Sequence, residues 1–161
     1  MLSVLLEGRG PARIVSPLAD GADRIVAQEG LALGAGLVCP LPFPRAEYER
    51  DFDPNSRREF AALLAGHEVV ELPGSRATKD AADAAYEAVG LWVLGHCDAL
   101  IAVWNGAGAD GRGGTGQIVE EAVRRGLKTA WIHVPPRLEH ASCWLSWPRT
   151  GPTCGKLITS R

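Results

Sequence analysis

Short apolar runs, each the length of a buried strand, recur along the chain and are separated by stretches with helical periodicity. Parallel strands that helices cover on both faces have nearly continuous apolar sequences. The runs predict strands at residues 13–15, 37–41, 68–72, 99–104 and 129–134. This alternation of strands and helices favours an α/β fold with a mostly parallel sheet of about five strands.

Helical periodicity between the runs predicts three main helices, at residues 20–33, 81–96 and 117–125. Gly34 follows the first of them at the position of a C′ glycine. The residues expected on the buried faces of the first and third helices are Ala22, Ile25, Val26, Ala32, Leu33, Ile118, Val119, Ala122 and Val123. Two shorter helices are predicted at residues 45–51 and 56–64, with Ser56 as the N-cap of the second.

Turn-forming residues follow each predicted strand, for example Ser16-Pro17 after the first and Asn105-Gly106 after the fourth. In a parallel sheet the carboxyl ends of the strands lie at one edge, and open α/β sheets bind their ligands there. The turns therefore predict a ligand site at this edge.

The two ends of the chain fit this pattern less well. Residues 1–6 are either the remnant of a helix or a substitute strand. From about residue 135 the sequence is rich in Pro, Trp and Cys without clean periodicity, which predicts an irregular tail that covers the core or a partner surface. A chain of 161 residues has the length of one ordinary domain, and we expect a single domain over residues 1–161.

Six glycines lie between Gly106 and Gly116, after the predicted strand at residues 99–104 and before the predicted helix at residues 117–125. Glycine lets the backbone approach a ligand closely, and the N-terminus of the following helix attracts phosphate through its N–H groups and its dipole. This segment, which we call the glycine loop, therefore predicts a phosphate-bearing ligand. The alternative is a flexible surface connection that happens to be rich in glycine.

The charge balance indicates no polyanionic partner, because 17 basic and 19 acidic residues give a formal net charge of −2. No stretch approaches the roughly 20 apolar residues that a bilayer requires. The N-terminal residues also lack the features of a signal peptide. We therefore expect a cytoplasmic protein that binds neither nucleic acid nor a membrane.

The four cysteines are scattered along the chain, so reduced thiols are expected. His133, His140, Cys143 and Cys154 could be drawn together around a metal ion, but their spacing matches no known ligand pattern. We expect no metal site.

Four segments, taken in order, carry a resemblance to a known family: SPLADGADR (16–24), LPFPRAEYERDF (41–52), LGHCDALIAVWNG (94–106) and GRGGTGQIVEEA (111–122). They resemble the stand-alone bacterial proteins of the SLOG superfamily, a group that includes DprA-like and LOG-like domains. The resemblance implies a Rossmann-like, three-layer domain that binds a nucleotide or a nucleotide derivative.

The resemblance also implies a site in which two helix N-termini face one crevice and hold a phosphate or diphosphate. The implied ligand-binding residues are Ser16, Gly21, Ala22, Asp23, Arg24, Pro42, Asn105, Gly106, Arg112, Gly113, Gly114, Thr115 and Gln117. Thr115 would add a hydroxyl group, and Arg112 or Arg24 would add a charge-assisted pair of hydrogen bonds to a phosphate oxygen.

Some of these residues have a plainer interpretation. Ser16 and Asp23 are residue types that cap helices without any ligand, and Arg24 could be an ordinary solvated arginine. Phe43 and Tyr48 could stack on a base, but aromatic residues after a strand more often pack in the core or under a lid.

The chain departs from the family pattern in three ways. The usual first βα unit has no counterpart before residue 13, so we expect the domain to lack it. LOG-type proteins resemble PGGxGTxxE, with an acid three residues after the threonine, whereas here Ile118 follows Thr115 at that spacing. Asn105 and Gln117 lie where related proteins tend to carry acids, which removes a candidate general base.

We therefore expect a nucleotide sensor or binding module rather than an enzyme, with no cofactor beyond a nucleotide ligand. The alternative is a hydrolase that cleaves an N-glycosidic bond, with Glu120, Glu121 or Glu47 as the acid. A third interpretation is a partial domain that functions only in an oligomer, and we expect a homo-oligomer.

Overall fold

The computed structural model describes residues 12–106, 112–134, 142–146 and 155–156, the last two ranges by their backbone alone. The chain divides into two compact units, Met1–Ala85 and Tyr86–Arg161, which we call unit 1 and unit 2. Both units combine strands with helices, so the predicted α/β class is confirmed, although the strands lie in two small sheets. The single domain over residues 1–161 stays a prediction.

Unit 1 contains a parallel three-stranded sheet in the order β1-β2-β3. Its strands are β1 (Arg13–Val15), β2 (Gly36–Leu41) and β3 (Glu68–Glu71). Its helices are α1 (Ala22–Ala32), α2 (Arg45–Tyr48), which continues as a 3-10 turn (Glu49–Asp51), and α3 (Pro54–Leu64). Because the three strands run in one direction, the segments that follow them lie at the same edge of this sheet.

The core of unit 1 lies around its central strand, β2, which is buried along almost its whole length. Tyr48, Phe52 and Phe60 form an aromatic cluster beside it, and Tyr48 contacts Phe52 at 5.0 Å and Phe60 at 5.8 Å between ring centroids. Cys39 of β2 has no exposed area. Burial, and secondarily the charge of Asp23, raises the pKa of its thiol to about 12.

Unit 2 has a mixed sheet in the order β4-β5-β6-β7. Its strands are β4 (Ala99–Trp104), β5 (Lys128–His133), β6 (Ser142–Ser146) and β7 (Gly155–Lys156). β4 and β5 are parallel, whereas β6 and β7 are each antiparallel to the preceding strand. Helix α5 (Thr115–Arg124) connects β4 to β5, and the boundary between the units falls within helix α4 (Lys79–Gly95).

The buried side chains among the described residues of unit 2 are small or aliphatic, namely Val89, Leu94, Ala102, Ala122, Thr129 and Ala130. Helices α4 and α5 approach each other closely, because a Cβ atom added to Gly90 would lie 2.5 Å from Cδ1 of Ile118. The described part of the unit 2 core therefore uses little aromatic surface.

The positions of the five predicted strands and of the helices are confirmed, with differences of a few residues at their ends. The tail beyond residue 135 is not irregular throughout, since β6 and β7 lie in it. Residues 142–146 show neither a long apolar run nor clean alternation, so only pairing with β5 reveals the strand.

The predicted helix faces were wrong in part, because Ile25, Leu33 and Val123 are 61%, 50% and 62% exposed. Helix α1 instead buries Arg24, Ala27 and Gly30. Arg24 can occupy the inward face of α1 because its charge is paired with Asp20 and Glu59. The periodicity of apolar residues cannot reveal such a position.

The N-cap of α3 was also predicted wrongly. Asp53, not Ser56, caps this helix: its carboxylate accepts hydrogen bonds from the N–H groups of Asn55 (2.7 Å) and Ser56 (2.9 Å). Helix α3 accordingly begins with Pro54 at its first position, where proline's missing N–H costs nothing.

Candidate functional site

The loop between β1 and α1, residues 16–21, has a strained backbone. Leu18 has φ 56°, a left-handed conformation that is unfavourable for a residue with a branched side chain. Gly21, the N-cap of α1, has φ 91° and ψ −120°, which only glycine adopts readily. Leu18 is completely buried, so packing of its side chain offsets part of this strain. Strained backbone of this kind clusters at ligand sites.

Ser16 and Asp23 bond to each other rather than capping α1. The Ser16 hydroxyl donates to Oδ2 of Asp23 at 3.2 Å and accepts from the N–H of Leu18 at 3.2 Å. No side chain caps α1, so simple helix capping does not account for either residue. Burial raises the pKa of the Asp23 carboxyl, although the hydrogen bonds from Ser16 and the Ala19 N–H act in the opposite direction. Ala22 lies beside this pair as the first residue of α1.

Arg24 lies inside unit 1 and is only 2% exposed. Its Nε donates to the carbonyl of Leu18 at 3.0 Å, and its Nη1 donates to the carbonyl of Ser56 at 3.0 Å. The same nitrogen pairs with Asp20 at 2.9 Å and with Glu59 at 3.1 Å. Arg24 is therefore neither a solvated arginine nor a surface phosphate ligand, and it holds the β1–α1 loop against α3.

The segment after β2 contributes buried residues. Pro42 and Phe43 are buried, and the Pro42 carbonyl lies directly against the backbone of Gly74. Tyr48 is buried as well, so Phe43 and Tyr48 pack in the core and do not form a stacking surface for a base. Glu47 pairs with Arg50 at 2.8 Å on the exposed side of this segment, as expected for a solvated face.

In unit 2, two aromatic side chains of β5 contact the backbone at the start of the glycine loop. The indole N–H of Trp131 donates to the carbonyl of Trp104 at 2.9 Å. Nε2 of His133 lies 3.1 Å from the carbonyl oxygen of Asn105. Gly106 lies over the Trp131 ring, because an added Cβ atom would be 3.2 Å from Cζ2 of that ring. These contacts position Asn105 and Gly106 at the carboxyl end of β4.

The end of the glycine loop packs on α4 at Gly113. This glycine has φ 81°, and an added Cβ atom would lie 2.7 Å from the backbone nitrogen of Glu87. The Gly113 N–H donates to Oε1 of Gln117 at 2.7 Å, so this N–H already has a partner within the protein. Close packing on α4 thus requires at least one glycine of the loop, independently of any ligand.

Glu87 joins this part of the site, and the sequence analysis missed it. Oε1 of Glu87 accepts from Nε2 of Gln117 at 2.6 Å, and Oε2 accepts from Nε of Arg112. These hydrogen bonds hold the pKa of the Glu87 carboxyl below its usual value. Glu87 precedes Arg112 by 25 residues, and its only sequence signal is one acid within a largely apolar stretch of α4.

The N-termini of the longer helices among the described residues differ in their capping. Asp53 caps α3, and the Thr78 hydroxyl caps α4 by accepting from the N–H of Ala81 at 3.1 Å. No side chain caps α1 or α5, whose N-cap residues are Gly21 and Gly114. The two helices predicted to bind an anion are therefore those that lack side-chain caps. Helix α1 belongs to unit 1 and helix α5 to unit 2. That their N-termini face one crevice stays a prediction.

The two acids proposed on α5 differ in their surroundings. Glu121 pairs with Arg124 at 2.6 Å and with Arg125 at 2.6 Å, and the hydrogen bonds from these arginines lower its pKa to about 2. A carboxyl with so low a pKa is a poor general acid near neutral pH. Glu120 is exposed on the same helix.

Thr115 is exposed at the first position of α5. Residues 107–111 of the glycine loop lie outside the described residues.

The described part of the chain contains no cluster of three or more His, Cys, Asp or Glu side chains that could hold a metal ion. Of the residues considered for a metal, His140 and Cys154 lie outside the described residues, and the side chain of Cys143 is not described. No helix within the described ranges has the length and apolar character needed to cross a membrane.

Comparison with known proteins found no matching family model, no matching curated protein and no matching solved structure.

Proposed function

We propose that the protein binds a nucleotide or a nucleotide derivative through its phosphate groups and acts as a sensor or binding module. One observation carries this proposal: among the described residues, side chains cap α3 and α4, whereas none caps α1 or α5. The first N–H groups of a helix need partners, and an uncapped N-terminus with its positive dipole end suits an anion.

Arg112 supports a phosphate ligand at the α5 terminus. Its side chain is 56% exposed and pairs with Glu87. An exposed pair of this kind contributes little free energy, so a phosphate group can compete for the guanidinium with a charge-assisted pair of hydrogen bonds. Glu87 stays ionised beside it and would accept hydrogen bonds from hydroxyl groups. A nucleotide offers both phosphate oxygens and ribose hydroxyls.

The resemblance to the SLOG superfamily supports the same proposal. On the basis of this resemblance we also propose that the protein has a Rossmann-like, three-layer architecture and that it forms a homo-oligomer in the cytoplasm. Light scattering of the purified protein tests the oligomer, and a clean monomer would count against it.

Thermal unfolding with AMP, ADP, ADP-ribose, NAD and cyclic nucleotides tests the binding proposal. A ligand at 100 times its Kd adds about 2.7 kcal/mol to stability, which raises the Tm of a chain of this size by roughly 5–10 °C. If the folded protein shows no shift at millimolar ligand, it does not bind these nucleotides and the proposal fails.

The variant Thr115→Asp locates the phosphate. An aspartate in the first turn of α5 stabilises the helix without ligand but repels a phosphate at its N-terminus. We expect an unchanged or higher Tm without nucleotide, together with loss of the nucleotide-induced shift. The matched control is Arg124→Ala at the opposite end of α5, which should leave the shift intact.

The second candidate is a hydrolase that cleaves an N-glycosidic bond. Its position beside Arg112 and Gln117 makes Glu87 a better candidate for the acting carboxylate than Glu120, Glu121 or Glu47. An ionised carboxylate beside a ribose could stabilise the positive charge that develops as the bond to the base breaks. Release of free base from the same nucleotides, abolished by Glu87→Gln with binding retained, would establish this reaction.

A further inference from the structure

Trp104, Trp131 and His133 form a cluster of three aromatic rings at the carboxyl ends of β4 and β5, which we call the aromatic platform. The ring centroids of Trp104 and Trp131 lie 5.4 Å apart, and those of Trp131 and His133 lie 5.6 Å apart. Trp104 and His133 are paired across the two strands, and Ala102 is paired with Trp131. Since side chains alternate along a strand, the three rings lie on the same face of the sheet.

The platform differs from the other aromatic groups around a strand end. In unit 1, Phe43, Tyr48, Phe52 and Phe60 are all buried in the core. Trp104, Trp131 and His133 are only half-buried. Aromatic rings contribute most to stability when they are fully buried, so the core of unit 2 does not explain two partly exposed indoles.

The platform also adjoins the proposed phosphate site along the chain. Trp131 and His133 contact the carbonyl groups of Trp104 and Asn105, and Gly106 lies over the Trp131 ring. The glycine loop begins at Gly106 and leads to the N-terminus of α5. In a strand–loop–helix unit of a parallel sheet, the carboxyl end of the strand and the N-terminus of the helix lie at the same edge, so a ligand whose phosphate binds at α5 would carry its base towards the rings at the end of β4.

We infer that the aromatic platform binds the planar ring of the ligand, so that the ligand is a nucleotide with its base and not merely a sugar phosphate. This inference rests on the proposed function, because the phosphate site anchors the ligand. Every nucleobase has a flat π-face, and stacking on an aromatic side chain strengthens binding without strict dependence on the base.

Titration of the full chain with AMP and with ribose 5-phosphate tests the inference. Both carry the same phosphate and ribose, so the phosphate site should bind both. Stacking should make AMP bind at least tenfold more tightly, and AMP alone should quench tryptophan fluorescence. Equal affinities would overturn the stacking and leave the phosphate site standing. If neither compound binds, the proposed function fails together with the inference.

Variants separate stacking from structural support. Trp104→Leu should lower the affinity for AMP to that for ribose 5-phosphate while the affinity for ribose 5-phosphate stays unchanged, and Trp104→Phe should keep most of the preference. Trp92→Leu is the matched control: the Trp92 indole of α4 stacks on the ring of His96, directly after the helix, with 3.7 Å between the ring centroids, and its loss should not affect either ligand. If Trp104→Leu does not fold, His133→Ala replaces it, and an unchanged preference for AMP in the folded variant overturns the inference.

Discussion

The guanidinium of Arg24, a residue of α1, contacts three other parts of unit 1. Its nitrogens reach the strained loop at the Leu18 carbonyl and at Asp20, and they reach α3 at Ser56 and Glu59. The same group lies over the Phe52 ring, 4.6 Å from its centroid, where a cation is attracted to the aromatic face. The sequence alone could not reveal this role, because Ser56 and Glu59 follow Arg24 by 32 and 35 residues.

Replacing Arg24 should destabilise the protein. Arg24→Ala removes the donor to the Leu18 carbonyl and the cation that pairs with Asp20 and Glu59, and it leaves a cavity, so we expect a loss of about 2–3 kcal/mol in the free energy of unfolding. Arg24→Lys should recover little of it, because an ammonium group cannot reproduce the planar fork. Urea unfolding measures the change. Arg50→Ala removes only an exposed ion pair with Glu47. It should lower the free energy of unfolding by less than about 0.5 kcal/mol. A similar loss in both variants would show that burial of Arg24 contributes nothing special.

Two carboxylates, one in each unit, show that residue type and local spacing do not decide the role of a single residue. Asp23 was predicted either to cap α1 or to contact a ligand, and its bond to Ser16 removes the capping interpretation. Glu87 was not predicted, since the two residues that bond to it lie far along the chain. Residue type and local spacing suggested candidates, but partners brought together by folding decided between them.

Helix α5 has a glycine at each end, and the two glycines serve different purposes. Gly113 precedes the helix and packs against the backbone of α4 at Tyr86 and Glu87. Gly126 follows the helix, where an added Cβ atom would meet nothing within 4 Å. The sequence predicted both ends of this helix well, but glycine-rich composition could not distinguish packing from ligand binding.

Alanine substitution distinguishes these two glycines. Gly126→Ala introduces only backbone strain at φ 68°, which should cost about 1–2 kcal/mol. Gly113→Ala adds a clash with α4 to a similar strain at φ 81°, and overpacking should raise the total to about 2–4 kcal/mol. Chemical denaturation of the two variants measures the difference. If both substitutions cost the same, Gly113 is not packed as tightly as described.

At the scale of the whole molecule, the sequence predicted what depends on local pattern and missed what depends on pairing. Apolar runs predicted the parallel strands, although only β2 is buried along almost its whole length and β3 is largely exposed. β6 and β7 have no comparable pattern and were missed. The arrangement of strands in two small sheets likewise depends on which strands pair, and no residue pattern encodes that choice directly.

Acid should destabilise the protein through carboxylates that are paired in the folded state. Arginine hydrogen bonds lower the pKa of Glu121 from 4.5 to about 2, so its contribution is present above pH 4.5 and is lost as the pH falls towards 2. Burial raises the pKa of Asp23, so its contribution has the opposite sign and favours folding at low pH.

Two variants should therefore change the pH dependence of unfolding in opposite directions. Glu121→Gln should flatten the decline in stability between pH 4.5 and pH 2, in proportion to the lowered pKa of Glu121. Asp23→Asn should raise stability more as the pH rises, because burial disfavours the charged form of the Asp23 carboxyl. Urea unfolding from about pH 7 down to about pH 2 measures both effects. A parallel decline in all three proteins would show that neither carboxyl is perturbed by folding.

The buried thiol of Cys39 makes the central strand of unit 1 observable by chemistry. Alkylating reagents attack the thiolate form of cysteine. The Cys39 thiol has a pKa of about 12 and no exposed area, so almost no thiolate is accessible to a reagent near neutral pH. Labelling of Cys39 must then wait for β2 to leave its neighbours, whereas the half-exposed Cys97 needs no such opening. The labelling rate of Cys39 thus reports how often β2 opens locally. A ligand bound to unit 1 would slow this labelling.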